Sequence, residues 1–148
     1  MKNATQLFNE FLPLFSTPSK AAALFSEDGM LEIPYLEHLG MQWQYRGRSE
    51  ISGLMTKLHE LIPDWKFTDA EILISTPDQV FAEYHVRAFA VHTQRPLHQH
   101  FFGRLVAENG EIKLLREALN IVETARVLFP NGLADIPAPT DDSQGTRL

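Results

Sequence analysis

The chain has 148 residues and a mass of 16.8 kDa, with 44% hydrophobic residues, no cysteine and a formal net charge of -6. This composition is typical of one globular domain, and the lack of cysteine excludes disulfides, thiolate metal sites and a cysteine nucleophile. The acidic balance and the absence of a basic run argue against nucleic acid as a partner.

The N-terminal residues are polar, and the short apolar stretch that follows is broken by Asn9, Glu10 and Pro13. A signal peptide needs an unbroken apolar region, and a membrane helix needs about 20 apolar residues. We therefore expect a cytoplasmic protein that does not interact with a membrane.

Helical periodicity covers the start of the chain. Apolar residues recur every three or four positions from Leu7 to Phe15, which predicts a first helix that kinks or ends at Pro13. An alanine-rich second helix is predicted at residues 20–25, with Ser19 as its cap.

A turn at residues 25–29 and a short strand at residues 30–35, stopped by proline, are predicted next. Ser49 is the predicted cap of a third helix, whose apolar positions repeat at helical spacing as far as Ile62.

After Trp65 the pattern becomes that of strands, rich in β-branched and aromatic residues. Asn109 and Gly110 predict a type I′ hairpin turn, because both central positions of that turn need positive φ. Short connections predict an antiparallel meander of four strands, at residues 65–75, 80–92, 98–107 and 112–122.

Helices followed by a long sheet predict the α+β class. We expect an α+β cone in residues 1–129, with N-terminal helices packed on a curved, mainly antiparallel sheet that encloses a pocket. Residues 130–148 lack apolar periodicity and are predicted to form an extended or disordered tail.

Glu117 is the most suggestive single residue. Strand alternation places it on one face with Leu115, Leu119 and Ile121. If that face points inward, burial would raise the carboxyl pKa and favour general acid or base chemistry. The alternative is an edge carboxylate that meets solvent or pairs with an arginine.

Histidines form a second candidate cluster. His98 and His100 share a strand face and His85 lies on the preceding strand, an arrangement that a two-histidine metal pair could use. Because no carboxylate has a recognisable metal-ligand spacing, an ordinary polar strand face is favoured and no metal is expected.

Several aromatic residues lie near chain breaks, where they suit a pocket rim; they include Tyr35, Trp43 and Trp65. The Tyr35 hydroxyl could donate a hydrogen bond to a developing oxyanion. His59, near the end of the third helix, either points into the pocket or lies on the surface. Motifs for covalent serine catalysis and for nucleotide hydrolysis are absent.

Four segments together resemble the SnoaL-like proteins, in the superfamily of nuclear transport factor two and ketosteroid isomerase. They correspond in order to a helix-to-strand junction, the start of the third helix, its exit and the last hairpin, and they lie at residues 25–35, 45–51, 62–67 and 109–120. The resemblance spans about residues 5–128, and it is greatest to phenazine-biosynthesis A/B-type proteins.

This resemblance implies an α+β cone with a hydrophobic pocket, usually a homodimer packed sheet to sheet, with no required metal or cofactor. It assigns acid/base chemistry to Glu117 and an assisting role to His59. Ala118 replaces an aromatic residue common in relatives, and Asn120 replaces a common aspartate.

Our leading hypothesis is therefore a homodimeric pocket protein that isomerises, cyclises, dehydrates or condenses a small hydrophobic metabolite bearing a carbonyl. Glu117 would move the proton, while His59 and Tyr35 orient the substrate or polarise its oxygen. The residues expected to contact the ligand are Trp43, Tyr45, Trp65, His85, His100, Phe102, Leu115 and Asn120.

Two alternatives belong to other functional classes. The first is a ligand-binding or assembly module without catalysis, which would be favoured if an arginine neutralised Glu117; the candidates are Arg87, Arg104 and Arg116. The second and weaker alternative is a metal enzyme that uses His85, His98 and His100.

Overall fold

A computed structural model describes residues 1–139 and shows helices packed against a six-stranded sheet. The α+β class is thus confirmed. The elements in chain order are α1 (Ala4–Leu14), α2 (Pro18–Ala22), β1 (Phe25–Glu32), β2 (Gln44–Arg46), α3 (Gly47–Leu61), β3 (Phe67–Ser75), β4 (Gln79–Ala90), β5 (Arg95–Glu108), β6 (Glu111–Leu119) and α4 (Ile121–Leu128).

The sheet has the strand order β2-β1-β6-β5-β4-β3. Strands β3 to β6 form the predicted antiparallel meander. The turn between β5 and β6 is the predicted one, with φ of 53° at Asn109 and 77° at Gly110. Register shifts within β3 and near the start of β6 bend the strands, and the sheet curves without closing.

Helix α1 covers the concave face of the sheet. Its apolar stripe buries Leu7, Phe8 and Phe11 in the main core. Asn3 caps the helix by accepting a hydrogen bond from the Gln6 backbone nitrogen at 2.9 Å. The helix contains Pro13 and ends one residue later, as the proline predicted.

The segment after α2 differs from the prediction. Helix α2 begins earlier than predicted, at Pro18, and ends at Ala22, because Phe25 already belongs to β1. Strand β1 is drawn into the sheet by a parallel pairing with β6, a non-local contact that local periodicity does not reveal. The predicted strand at residues 30–35 was therefore too late, and a 3₁₀ helix occupies Pro34–Leu39.

The boundaries of two further elements also needed correction. Helix α3 begins at Gly47, with Arg46 at its N-cap, rather than at a cap formed by Ser49. The last strand stops at Leu119, because the Asn120 side chain accepts from the Glu123 backbone nitrogen and starts α4. Ile121, which has high strand propensity, is therefore helical and does not share the face of Glu117.

Within residues 130–139 of the predicted tail, Gly132–Asp135 forms a short 3₁₀ helix. The remainder of that tail, residues 140–148, lies outside the described residues. Across the described part of the chain, no helix has the length and apolar character needed to cross a membrane.

Candidate active site

A mainly apolar pocket lies between the concave face of the sheet and the helices, with about 700 Å³ of empty space including its opening. Aliphatic and aromatic side chains from α3, α4 and the sheet form its walls, together with Phe15, which follows α1, and residues in and around the 3₁₀ helix after β1. The polar side chains that line it are Tyr45, Gln99, Glu117 and Thr124, together with the indole of Trp65. A mainly apolar lining with a few polar groups is usual for pockets that bind small organic ligands.

Glu117 lies on β6 and is 6% exposed, so the face that it shares with Leu115 points inward and the carboxyl does not meet solvent at an edge. Burial raises the pKa of this carboxyl to about 7, and the hydrogen bond from Tyr84 only partly opposes the effect of burial. Glu117 is therefore poised to exchange a proton near neutral pH.

Tyr84 on β4 holds one oxygen of that carboxyl. Its hydroxyl, which is fully buried, donates a hydrogen bond to Oε2 of Glu117. The phenol ring is fixed by stacking on Phe101, with 5.5 Å between ring centroids. Burial and the adjacent carboxylate raise the pKa of Tyr84 well above its usual range, so the hydroxyl remains a donor. Oxygen Oε1 of Glu117 is then left for a ligand.

Gly103 makes this contact possible. It lies on β5 directly opposite Glu117, between the strand that carries Tyr84 and the strand that carries Glu117. A Cβ atom at position 103 would lie 2.2 Å from the Tyr84 hydroxyl oxygen. The phenol therefore reaches across β5 only because this residue has no side chain.

Sequence reasoning did not identify Tyr84. The usable signal was Gly103, because a glycine in the middle of a strand often marks the close approach of another group. Tyr84 pairs with Phe101, two positions from that glycine and on the same face of the sheet.

The three arginines that could have neutralised Glu117 have other partners. Arg116 pairs with Glu32 at 2.9 Å and Arg87 pairs with Asp69 at 2.8 Å. Arg104 donates to the side-chain oxygen of Gln79 at 3.0 Å. The ion-paired acid is thus Glu32, on the neighbouring strand β1. Burial alone would raise the pKa of Glu32, but hydrogen bonds from Gln44 and Arg116 lower it. Glu117 has no such cationic partner among residues 1–139.

A polar strip on the pocket wall is satisfied by the protein itself. Gln99 Nε2 donates to Thr124 Oγ1 at 2.9 Å and to the Asn120 carbonyl at 3.0 Å. Gln99 Oε1 accepts from the Asn120 backbone nitrogen at 2.9 Å. The Tyr45 hydroxyl donates to the Gln42 carbonyl at 3.0 Å. These groups join α4 and the β2 segment to the wall, and their donors are already used.

The structure brings three of the predicted site residues to the pocket wall: Glu117, Tyr45 and Trp65. Four others lie nearby without lining it. Leu115 is buried in the main core, Trp43 packs in a small cluster beside Ile33, Asn120 caps α4, and His59 packs against Phe15 with 5.4 Å between ring centroids.

Four predicted site residues lie on the outer face of the sheet, away from the pocket. Gln99 and Phe101 point inward on β5, so alternation turns His100 and Phe102 outward. His85 pairs with His100 and faces the same way. Tyr35, 51% exposed, is turned outward by the 3₁₀ helix that replaces the predicted strand. The placement of these residues in a pocket is therefore corrected.

The outer histidines stack on one another. The His85 ring lies 4.1 Å from that of His100 and 5.4 Å from that of His98, measured between centroids. His100 Nε2 contacts Glu83 at 3.0 Å, while His85 Nδ1 lies 3.2 Å from His98 Nε2. Over the described range 1–139, no group of three or more potential ligands is arranged to hold a metal ion.

Comparisons with known proteins agree with this architecture. Residues 16–115 match the SnoaL-like domain family. A phenazine biosynthesis-related protein from Pseudomonas aeruginosa is similar in structure, with a TM-score of 0.66 and 19% identity over 95% of this chain and 92% of the other.

Two more solved structures share the fold. One, from Catenulispora acidiphila, is a hypothetical protein with a ketosteroid isomerase-like fold in complex with trimethylamine; its TM-score is 0.70, with 18% identity over 92% of this chain and 99% of the other. The second is a nuclear transport factor two-like protein of unknown function from Burkholderia pseudomallei. Its TM-score is 0.74, with 17% identity over 87% of this chain and 99% of the other. These similarities confirm the predicted cone fold. No curated protein matches the chain.

Proposed function

The chain belongs to the SnoaL-like domain family, and from that premise we propose that it carries out acid/base chemistry on a small hydrophobic metabolite bearing a carbonyl group. The observation that carries this proposal is Glu117, a carboxyl with a pKa of about 7 in a mainly apolar pocket. Such a group can both accept and return a proton near neutral pH.

The surroundings of Glu117 support a proton shuttle. Tyr84 occupies Oε2, which leaves Oε1 to remove a proton from the carbon beside the substrate carbonyl. The apolar walls hold the hydrocarbon skeleton and exclude water. Because one carboxyl takes and returns the proton, isomerisation or an enolate-type cyclisation fits this site best.

The non-catalytic alternative predicts a different environment for the carboxyl. A carboxylate that serves only to stabilise the fold would be expected to pair with an arginine, as Glu32 does with Arg116. Glu117 instead has one neutral hydrogen-bond donor and lines the cavity. This contrast favours catalysis over a binding or assembly module.

Proton exchange on a model ketone tests the proposal. We expect the protein to accelerate the exchange of the α-protons of 2-tetralone in D₂O, followed by proton NMR, because Glu117 can remove them. In Glu117→Gln the acceleration should fall by about a hundredfold or more, since the amide is not a base. Equal rates for the two proteins would favour the binding module. Glu123→Gln, a substitution on α4, is the control and should leave the rate unchanged.

We also propose that the protein is a homodimer formed through the outer face of the sheet, in a cytoplasmic location. On that face Phe81 stacks on Phe102 with 6.1 Å between centroids, and both rings are more than one-third exposed. We expect sedimentation equilibrium to give twice 16.8 kDa for the native chain and the monomer mass for Phe102→Glu. Leu133→Glu, at an exposed position outside the sheet, is the control and should stay dimeric. A native chain with the monomer mass would contradict the proposed dimer.

A further inference from the structure

Two buried side-chain polar atoms in the described part of the chain have no hydrogen-bond partner: His59 Nε2 and Trp65 Nε1. A buried polar group without a partner costs stability and calls for an explanation. Both side chains pack against Phe15, with ring centroids 5.4 Å and 5.5 Å away. Phe15 and Trp65 line the same pocket as Glu117.

The two atoms differ in what they can bind. His59 Nδ1 lies 2.8 Å from the Met55 carbonyl, which can only accept, so Nδ1 carries the proton. In the neutral ring Nε2 is then an acceptor and cannot bind a carbonyl oxygen. Trp65 Nε1 always carries a proton and is a donor only.

The other donors around the pocket are already engaged. Tyr84 donates to Glu117, Tyr45 donates to the Gln42 carbonyl, and both amide hydrogens of Gln99 are used. The Thr124 hydroxyl donates to the Asn120 carbonyl at 3.3 Å. Among the side chains that line the pocket, Trp65 is thus the one with a hydrogen-bond donor that has no partner in residues 1–139.

We propose that the indole N–H of Trp65 binds the substrate's carbonyl oxygen and stabilises the negative charge that develops on it. The inference rests on the proposed proton shuttle. As Glu117 Oε1 takes the α-proton, the electrons of the C–H bond form a carbon–carbon double bond and the carbonyl π electrons move to oxygen. Trp65 donates to that oxygen, and the proton then returns to carbon from Glu117. This role replaces the one that the sequence suggested for Tyr35 and His59.

The chain offers a direct test, because it contains two tryptophans and Trp43 does not line the pocket. Their indole signals in a ¹H–¹⁵N spectrum of the full chain are assigned with Trp65→Phe and Trp43→Phe. On adding 2-tetralone we expect the Trp65 indole proton to move downfield and that of Trp43 to stay. Tetralin, which has the same skeleton without oxygen, should cause no downfield shift.

The substitution Trp65→Phe provides a second readout. It keeps an aromatic ring against Phe15 but removes the N–H group. We expect about a hundredfold slower α-proton exchange, a smaller loss of affinity for 2-tetralone and unchanged affinity for tetralin. The proposal is overturned if 2-tetralone fails to bind, or binds without shifting the Trp65 signal. If that signal shifts but Glu117→Gln exchanges as fast as the native chain, the proton shuttle fails and the indole site stands.

Discussion

Replacing Glu117 with glutamine is expected to stabilise the protein above neutral pH while it abolishes proton transfer. Folding raises the pKa of this carboxyl from 4.5 to about 7. The folded state therefore binds more protons than the unfolded state between these values. The associated stability is fully present below pH 4.5 and is lost as the pH rises through 7, by roughly 3 kcal/mol in total. The amide of the substituted side chain carries no charge at any of these pH values, so the variant avoids this loss.

Urea unfolding at pH 5 and pH 8 measures the effect. From pH 5 to pH 8, the free energy of unfolding of the native chain should fall by roughly 3 kcal/mol more than that of Glu117→Gln. Glu32→Gln is the matched control: because the pKa of Glu32 is lowered, its contribution is lost only as the pH falls through that lower value, so this variant should keep the pH dependence of the native chain between pH 5 and pH 8. Equal pH dependence in the native chain and Glu117→Gln would contradict the burial of an ionisable carboxyl.

The same desolvation thus accounts for both properties of Glu117. Burial that raises the pKa of a carboxyl to about 7 also destabilises the folded state whenever that carboxyl is ionised. A substitution that removes the catalytic carboxyl should therefore increase stability. An acid whose role is structural behaves in the opposite way, as Glu32 illustrates through its pairing with Arg116.

Strand alternation predicted that Glu117 shares a face with Leu115 and Leu119 but left open whether that face points inward, whereas the Asn109–Gly110 turn was enough to predict the hairpin. Both are local properties of the chain. Helix α4 was missed because Ile121 and Val122 favour strands by propensity, whereas the Asn120 cap decides the outcome.

The remaining errors concern contacts that periodicity cannot encode. Tyr84 meets Glu117 across an intervening strand, and the parallel pairing of β1 with β6 joins distant segments. The prediction therefore misplaced several residues around the site, although the overall fold was predicted correctly. Tyr35 is an example: the strand was predicted to continue as far as this residue, which placed it at the pocket, whereas it lies on the outer face.

Substituting Gly103 with alanine is expected to destabilise the protein by about 3 kcal/mol. The new Cβ would lie 2.2 Å from the Tyr84 hydroxyl oxygen and 3.0 Å from two ring carbons. The ring cannot retreat, because it is fully buried and packed against Phe8, Phe67 and Phe101. A displaced hydroxyl would also stop donating to Glu117, so the pKa of Glu117 should rise above 7; carbon-13 NMR titration of the carboxyl measures this.

A double-mutant cycle separates the hydroxyl from the ring. In a Tyr84→Phe background the contact with the hydroxyl no longer exists and only the 3.0 Å contacts with two ring carbons remain, so Gly103→Ala should cost only about 1 kcal/mol there. Gly53→Ala is the matched control: a Cβ at this helical position meets nothing within 4 Å, and the change should stabilise the chain by up to about 1 kcal/mol. If Gly103→Ala costs the same in both backgrounds, the cost does not come from the Tyr84 hydroxyl, which contradicts the role of Gly103 in making room for it.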